Sequence, residues 1–205
     1  MEKHLDNLIS ILASAIRLPE TADGKFRFRL LKSIATIESA YGQWNLPRFE
    51  EAWWNRFRHQ DPVKYKRFES WVENFGRQVT SSFGPWQLMA FNAIDDGYPY
   101  GQPLSLLSLP EVSIPYVIKF INRQRYPVLV NHDDEKLSLA RYYGEIVFGF
   151  TKTDLRNLQL INDDQVEVVL SIIGDVYNSG STSGYYPVGY VKKLISVYHE
   201  ITETI

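Results

Sequence analysis

Residues 30–42 read LLKSIATIESAYG. Leu30, Leu31, Ile34, Ile37 and Tyr41 recur every three or four positions, the spacing of one helix face, and Gly42 can end such a helix. Glu38 falls in its last turn, beside the apolar stripe. Upstream, Leu5, Leu8, Ile9, Leu12 and Ile16 predict a helix over 2–17, and Thr21-Ala22-Asp23-Gly24 a turn. Downstream, Asn45-Leu46-Pro47 is a break, followed by a helix from about Phe49 to Arg58. Asp61-Pro62 places an N-cap before a proline at the first helical position of a helix ending near Gly76. Thr80-Ser81-Ser82-Phe83-Gly84 reads as a loop feeding a helix from Pro85 to about Asp95. Asp96-Gly97-Tyr98-Pro99-Tyr100-Gly101 reads as a surface turn. Ser113 is placed to cap a helix from Ile114 to Arg123. Further helices are expected at 134–146, 151–160, 163–177 and 188–201, a short strand at Val128-Leu129-Val130, and a loop from Gly180 to Gly184. With no repeat and no linker composition, the expectation is one mainly α-helical domain over 1–205, with room for a small β-hairpin.

At 205 residues the chain can bury a full core without staples. Hydrophobic residues make up 44% and charged ones 22%, as in ordinary globular proteins. The formal net charge of −2 lacks the basic footprint that nucleic-acid binding favours. Cysteine is absent, which excludes disulfides, thiolate catalysis and cysteine-based zinc sites. Met1-Glu2-Lys3-His4-Leu5-Asp6 does not read as a secretory signal, and no stretch approaches the roughly 20 apolar residues of a membrane span. The expectation is a soluble chain made in the cytoplasm. The 5 Trp, 13 Tyr and 11 Phe supply core and, in principle, rings for stacking on flat ligand faces.

Three separated pieces carry chemistry-bearing residues. The first is Ile37-Glu38-Ser39. The second is Ser81-Ser82-Phe83-Gly84-Pro85-Trp86-Gln87-Leu88-Met89. The third is Val176-Tyr177-Asn178-Ser179-Gly180, followed by Tyr190-Val191-Lys192-Lys193-Leu194. Leu139-Ala140-Arg141-Tyr142-Tyr143-Gly144 is a rival for the third, but Tyr177 has the better-spaced successor at Tyr190.

The order Glu-Ser, Ser-x-Gly-x-x-Gln, Tyr-Asn-x-Gly, Tyr-Val-x-x-Leu resembles the lytic transglycosylases and goose-type lysozymes. Pro47-Arg48-Phe49-Glu50, with Gly84-Pro85-Trp86-Gln87-Leu88-Met89, resembles the N-acetylmuramidase domains of phage endolysins. The resemblance runs in patches from about 30 to 198. Pro85 and Trp86 stand where the transglycosylase pattern usually has Leu and Met, and the Glu38-to-Gly84 gap is longer than in most of them. Both departures favour the endolysin-like branch.

The resemblance implies a lysozyme-like helical fold and cleavage of peptidoglycan strands between N-acetylmuramic acid and N-acetylglucosamine. It implies no cofactor, no metal, a monomer, and action at the bacterial cell wall. Glu38 becomes the general acid. Such an acid must stay protonated near neutral pH, whereas ordinary Glu titrates at about 4.3; an apolar helix end beside tyrosines favours the neutral form. Gly84 would admit a sugar to the backbone, and Gln87 would hydrogen-bond acetamido or hydroxyl groups. Tyr177 and Asn178 would orient the acid and steady developing charge. Ser39, Ser82 and Tyr190 join the substrate side, with Trp86, Tyr98 and Tyr186 as groove aromatics. Glu50, Glu51, Asp95 and Asp96 are candidates for a second carboxylate, Glu50 foremost because it lies in the Arg-Phe-Glu patch.

Other chemistries have less to stand on. His4, His59, His132 and His199 lack metal-ligand spacing, and His132-Asp133-Asp134 reads more simply as a helix start. There is no Gly-x-Ser-x-Gly elbow and no phosphate-binding P-loop. The alternative kept beside the enzyme is a non-catalytic lysozyme-like domain that binds glycan or serves a structural role.

Overall fold

The computed structural model describes residues 2–59, 62–124, 155–179 and 188–204. The expected strand at 128–130, the helix at 134–146, the rival motif at 139–144, His132-Asp133-Asp134, the 180–184 loop and Tyr186 lie outside the described residues. The described residues are mainly helical, with eight α-helices: α1 (Glu2–Leu12), α2 (Phe26–Ser39), α3 (Glu51–His59), α4 (Pro62–Phe75), α5 (Ala90–Asp95), α6 (Pro110–Arg123), α7 (Asp163–Ser179) and α8 (Val188–Thr204). Five short strands accompany them: β1 (Glu20–Thr21), β2 (Arg48–Phe49), β3 (Ser81–Phe83), β4 (Leu88–Met89) and β5 (Leu160–Ile161). No helix among the described residues is long and apolar enough to cross a membrane. The chain divides into two compact units, Met1–Leu8 with Glu38–Phe120, and Ile9–Ile37 with Ile121–Ile205.

In the second unit, α2 shows how sequence becomes helix. Before its first turn, the Glu20 carboxylate accepts the Phe26 N–H, and Asp23 Oδ1 accepts the Lys25 N–H at 3.0 Å, meeting amides that a helix start leaves without intrahelical partners. Phe26, Leu30, Leu31 and Ile34 then fall on one face and are fully buried. Arg29, also buried, reaches Asp23 at 2.8 Å. β1 and β5 pair in parallel, Glu20 opposite Leu160 and Thr21 opposite Ile161. This corrects the helix expected at 151–160: the described part is a 3₁₀ turn at Leu155–Asn157 followed by β5. α7 and α8 pack closely along Gly174, where a built Cβ would lie 3.1 Å from both Val191 and Leu194. Even a methyl there would require the Val191 and Leu194 side chains to give by a few tenths of an ångström.

In the first unit, β2, β3 and β4 form an antiparallel sheet in that order. Arg48 lies opposite Ser82, Ser82 opposite Met89, and Phe83 opposite Leu88. The small hairpin therefore exists, but at 81–89. Two boundaries move with it. Phe49 belongs to β2, and α3 begins at Glu51. The helix expected from Pro85 begins only at Ala90, because Gly84 (φ +75°) and Gln87 (φ +45°) adopt left-handed backbone that a right-handed helix does not admit. α6 starts at Pro110, so Ser113 is not its cap. Ser113 sits inside the first turn, its hydroxyl donating back to the Leu109 carbonyl at 3.2 Å. The unit's core holds Phe68, Val79, Phe83, Trp86, Ile114 and Val117.

Candidate active site

Glu38 lies in the last turn of α2, half-buried. The chain after it leaves the helix through left-handed backbone that extends beyond the expected Gly42. Ala40 (φ +48°), Tyr41 (φ +58°) and Gly42 (φ +82°) are three consecutive left-handed residues. For an L-residue with a Cβ this backbone costs about 1–2 kcal/mol each, so the surroundings must impose it. Three hydrogen bonds and a buried ring do so. Ser39 Oγ accepts the Gly42 N–H at 2.7 Å, and the Ser39 carbonyl accepts the Trp44 N–H at 2.9 Å. The Tyr41 ring is buried, and its hydroxyl donates to Asp6 on α1. Burial first, and the Asp6 carboxylate second, push the Tyr41 phenol well above its ordinary range. Gly42 faces Leu5 and Pro85, where a built Cβ would lie at ordinary van der Waals distance, 3.8 Å and 3.9 Å.

That last contact joins two of the three motif pieces. Pro85 belongs to the loop of residues 84–87 between β3 and β4, so the turn after Glu38 lies against the Gly84–Gln87 hairpin. Gln87 is itself left-handed. Among the described residues, the non-glycine positions with positive φ are Ala40, Tyr41 and Gln87, all within these two pieces. Strained backbone of this kind gathers at functional sites.

The hairpin is held from within. The Gln87 N–H donates to the Gly84 carbonyl at 3.0 Å, Gln87 Nε2 donates to the same oxygen at 3.1 Å, and the buried Ser82 hydroxyl donates to Gln87 Oε1 at 2.8 Å. One Nε2–H and one Oε1 lone pair of Gln87 are not used by these bonds. Gly84 is not a gap open to a sugar: a built Cβ would meet the Leu107 carbonyl at 2.6 Å and Ser113 Oγ at 2.9 Å. It is glycine because the chain's own backbone closes on it. Ser39 and Ser82 likewise spend hydroxyls on internal bonds.

Two expected groove aromatics are core residues in this structure. Trp86 is 0% exposed and Tyr98 1%, the latter donating its hydroxyl to the Pro103 carbonyl at 2.7 Å and packing its ring on Tyr116 at 5.5 Å. Burying a Trp removes roughly 150–250 Å² from water, worth up to about 4–6 kcal/mol at ~25 cal/mol per Å². Stacking on a ligand gains only about 1 kcal/mol, so the core claims the ring. Among the other carboxylates, Glu50 follows β2, with its N–H donating to the Thr80 carbonyl at 3.0 Å and its carboxylate paired to the exposed Arg48 guanidinium. Glu51 and Asp95 are exposed, and Asp96 ends α5.

The third piece belongs to the second unit and is described there alone. Tyr177 and Asn178 occupy the last turn of α7, Tyr177 half-buried and Asn178 exposed. Tyr190 is in the first turn of α8, its ring 3.7 Å from the Cβ position of Gly174. Among the described residues, no group of three or more His, Asp or Glu is placed to hold a metal ion.

Three participants escaped the sequence reading. Asp6 was hidden because its partner, Tyr41, is distant in sequence. Asn45, whose Nδ2 donates to the Ser108 carbonyl at 2.8 Å, read only as part of a break. Trp44 is 71% exposed directly after the strained turn; an indole flanked by turn residues was its only signal. No family model, curated protein or solved structure matches this chain.

Proposed function

We propose that this chain is a peptidoglycan-cleaving glycosidase of lysozyme-like fold, a muramidase or lytic transglycosylase, with Glu38 as general acid. The observation that carries the reading is the contact between the strained turn after Glu38 and the Gly84–Gln87 hairpin. Two pieces singled out by motif lie beside each other, and both hold left-handed non-glycine backbone of the kind that gathers at functional sites.

The chemistry asked of Glu38 is simple. Its carboxyl proton passes to the glycosidic oxygen as the C1–O bond breaks, leaving an oxocarbenium-like centre on the muramic sugar. In a hydrolase, water adds to that centre and gives up its proton. In a transglycosylase, the sugar's own 6-hydroxyl adds and loses its proton, forming an anhydro ring. Gln87 retains one donor and one acceptor site for substrate. Glu50 is the carboxylate proposed to activate water in the hydrolytic version.

The test is turbidity loss of purified peptidoglycan with wild type and Glu38→Gln, beside thermal melts of both. Gln keeps the shape but cannot donate an acidic proton, so lysis falls by at least about 100-fold while the fold persists. Equal lysis by the two proteins moves the acid elsewhere. Absence of lysis by wild type on several wall types supports the non-catalytic, glycan-binding reading. Mass analysis of the products separates the two enzymatic outcomes, which differ by one water.

A further inference from the structure

Between α3 and α4, the first unit holds a cavity of about 390 Å³ lined by Trp54, Arg58, Phe68, Glu69, Val72 and Glu73. That volume lies within the ~300–1,000 Å³ of small-molecule sites. Helical spacing builds both walls. Trp54 and Arg58 stand one turn apart on α3, and so do Phe68 and Val72, and Glu69 and Glu73, on α4. Phe68 is buried and Trp54 and Val72 are half-buried, which makes an apolar floor; Arg58, Glu69 and Glu73 are exposed and form a charged rim. The Trp54 ring packs on Phe68 with centroids 6.1 Å apart, and the Arg77 guanidinium lies 5.2 Å from it, so the floor is fixed by its own neighbours. Arg58 comes from one helix and the two carboxylates from the other. Among the described residues, no ion pair or hydrogen bond joins the side chain of any of the three. Opposite charges are thus left open around one aromatic floor, and the two carboxylates repel each other across a single turn.

We infer that this cavity binds a basic amino acid of the lysine class. Its described lining carries two carboxylates and one guanidinium, and the complementary ligand carries two ammonium groups and one carboxylate. The ligand carboxylate pairs with the planar fork of Arg58, and the ammonium groups with Glu69 and Glu73. The methylene chain between them lies on Trp54, Phe68 and Val72. Other ligand classes match less of the lining. An apolar molecule would leave three charges facing it, a phosphate would meet two carboxylates, and a plain diamine would leave the guanidinium without a partner. The inference goes beyond the glycosidase reading and does not depend on it, since it involves no reaction at Glu38.

The experiment is titration calorimetry of the full chain with L-lysine and with three analogues that each lack one charged group: cadaverine, norleucine and ε-aminocaproate. Lysine binds with a Kd below about 1 mM, and each analogue at least about tenfold more weakly. Arg58→Gln weakens lysine binding about tenfold and leaves cadaverine within about threefold, because cadaverine has no carboxylate to lose. The Glu69→Gln, Glu73→Gln double variant weakens both ligands. Melting temperatures stay level, since all three side chains are exposed. A peptide ending in lysine, such as Gly-Gly-Lys, separates the two sources of this chemistry. Binding as tight as that of lysine assigns the cavity to a peptide C-terminus, and weaker binding assigns it to the free amino acid. No binding of lysine or of the peptide by wild type up to about 10 mM overturns the inference. So does equal affinity for lysine and norleucine, or lysine binding that is unchanged in both variants.

Discussion

At the scale of single residues, the turn at Ala40-Tyr41-Gly42 is where the fold spends stability most visibly. Ala40 at φ +48° bears a Cβ that left-handed backbone does not favour. Glycine carries no such cost, so Ala40→Gly is expected to raise stability by about 1 kcal/mol, less what glycine's unfolded-state freedom returns. Urea melts at constant m-value would measure it, and a lower midpoint would mean the turn is not strained. On the proposed glycosidase reading, with the turn aiming Glu38, the same variant should lyse peptidoglycan more slowly despite melting later, the trade expected when a site depends on strained backbone. Tyr41→Phe probes the other side of the device by removing the hydroxyl that Asp6 holds while keeping the buried ring.

At the scale of elements, the β3–β4 hairpin docks through Gly84. A Cβ there would lie 2.6 Å from the Leu107 carbonyl, a backbone atom that cannot rotate away, on residue backbone already at φ +75°. Gly84→Ala should therefore cost at least about 2 kcal/mol, read as a lowered thermal midpoint. An unchanged melt would show that the hairpin can lift off the Leu107 carbonyl at no cost. The same element shows where sequence reasoning stops. The sequence reading runs a helix from Pro85 to about Asp95. Leu88 and Met89 instead extend to pair with Phe83 and Ser82. Ladder bonds across the hairpin and the Ser82–Gln87 bond outweigh a local preference of a few tenths of a kcal/mol per residue.

At the scale of the whole molecule, buried tyrosines set the alkaline limit. Burial pushes Tyr198 up to about 12, with Arg29 beside it pulling the other way, from an ordinary 10.0. Tyr41, Tyr98 and Tyr116 are also raised, each chiefly by burial. A raised folded value means the native state holds its proton more tightly than the unfolded chain. The contribution is thus complete below pH 10 and lost as pH rises toward 12, about 3 kcal/mol for Tyr198 alone. Urea midpoints should fall steeply above pH 10, and Tyr198→Phe should flatten the fall. Midpoints level to pH 11 in wild type would contradict this. On the acid side, Asp23 is held below its ordinary 3.8, first by the Thr21 hydroxyl, so its contribution fades only as pH drops through that lower value.

The sequence by itself determined the helices whose stripes are long and regular. α2, α4, α7 and α8 lie within a few residues of where periodicity, the Asp61-Pro62 start and Gly42 put them, because 3.6-residue spacing and terminal chemistry are local properties. Through the resemblance it also marked Glu38 at a helix end and the Gly84–Gln87 stretch as expected site pieces. Only the tertiary structure decided what those pieces do to each other. Pro85 against Gly42, Asp6 on Tyr41, and Leu107 and Ser113 behind Gly84 are contacts between residues about 20 to more than 40 positions apart, on which local spacing is silent. Composition could not say which aromatic is spare, either. Trp86 and Tyr98 went to the core, where burial is worth several times more than stacking, while at the turn after Glu38 it is Tyr41 that faces inward and Trp44 that stays 71% exposed.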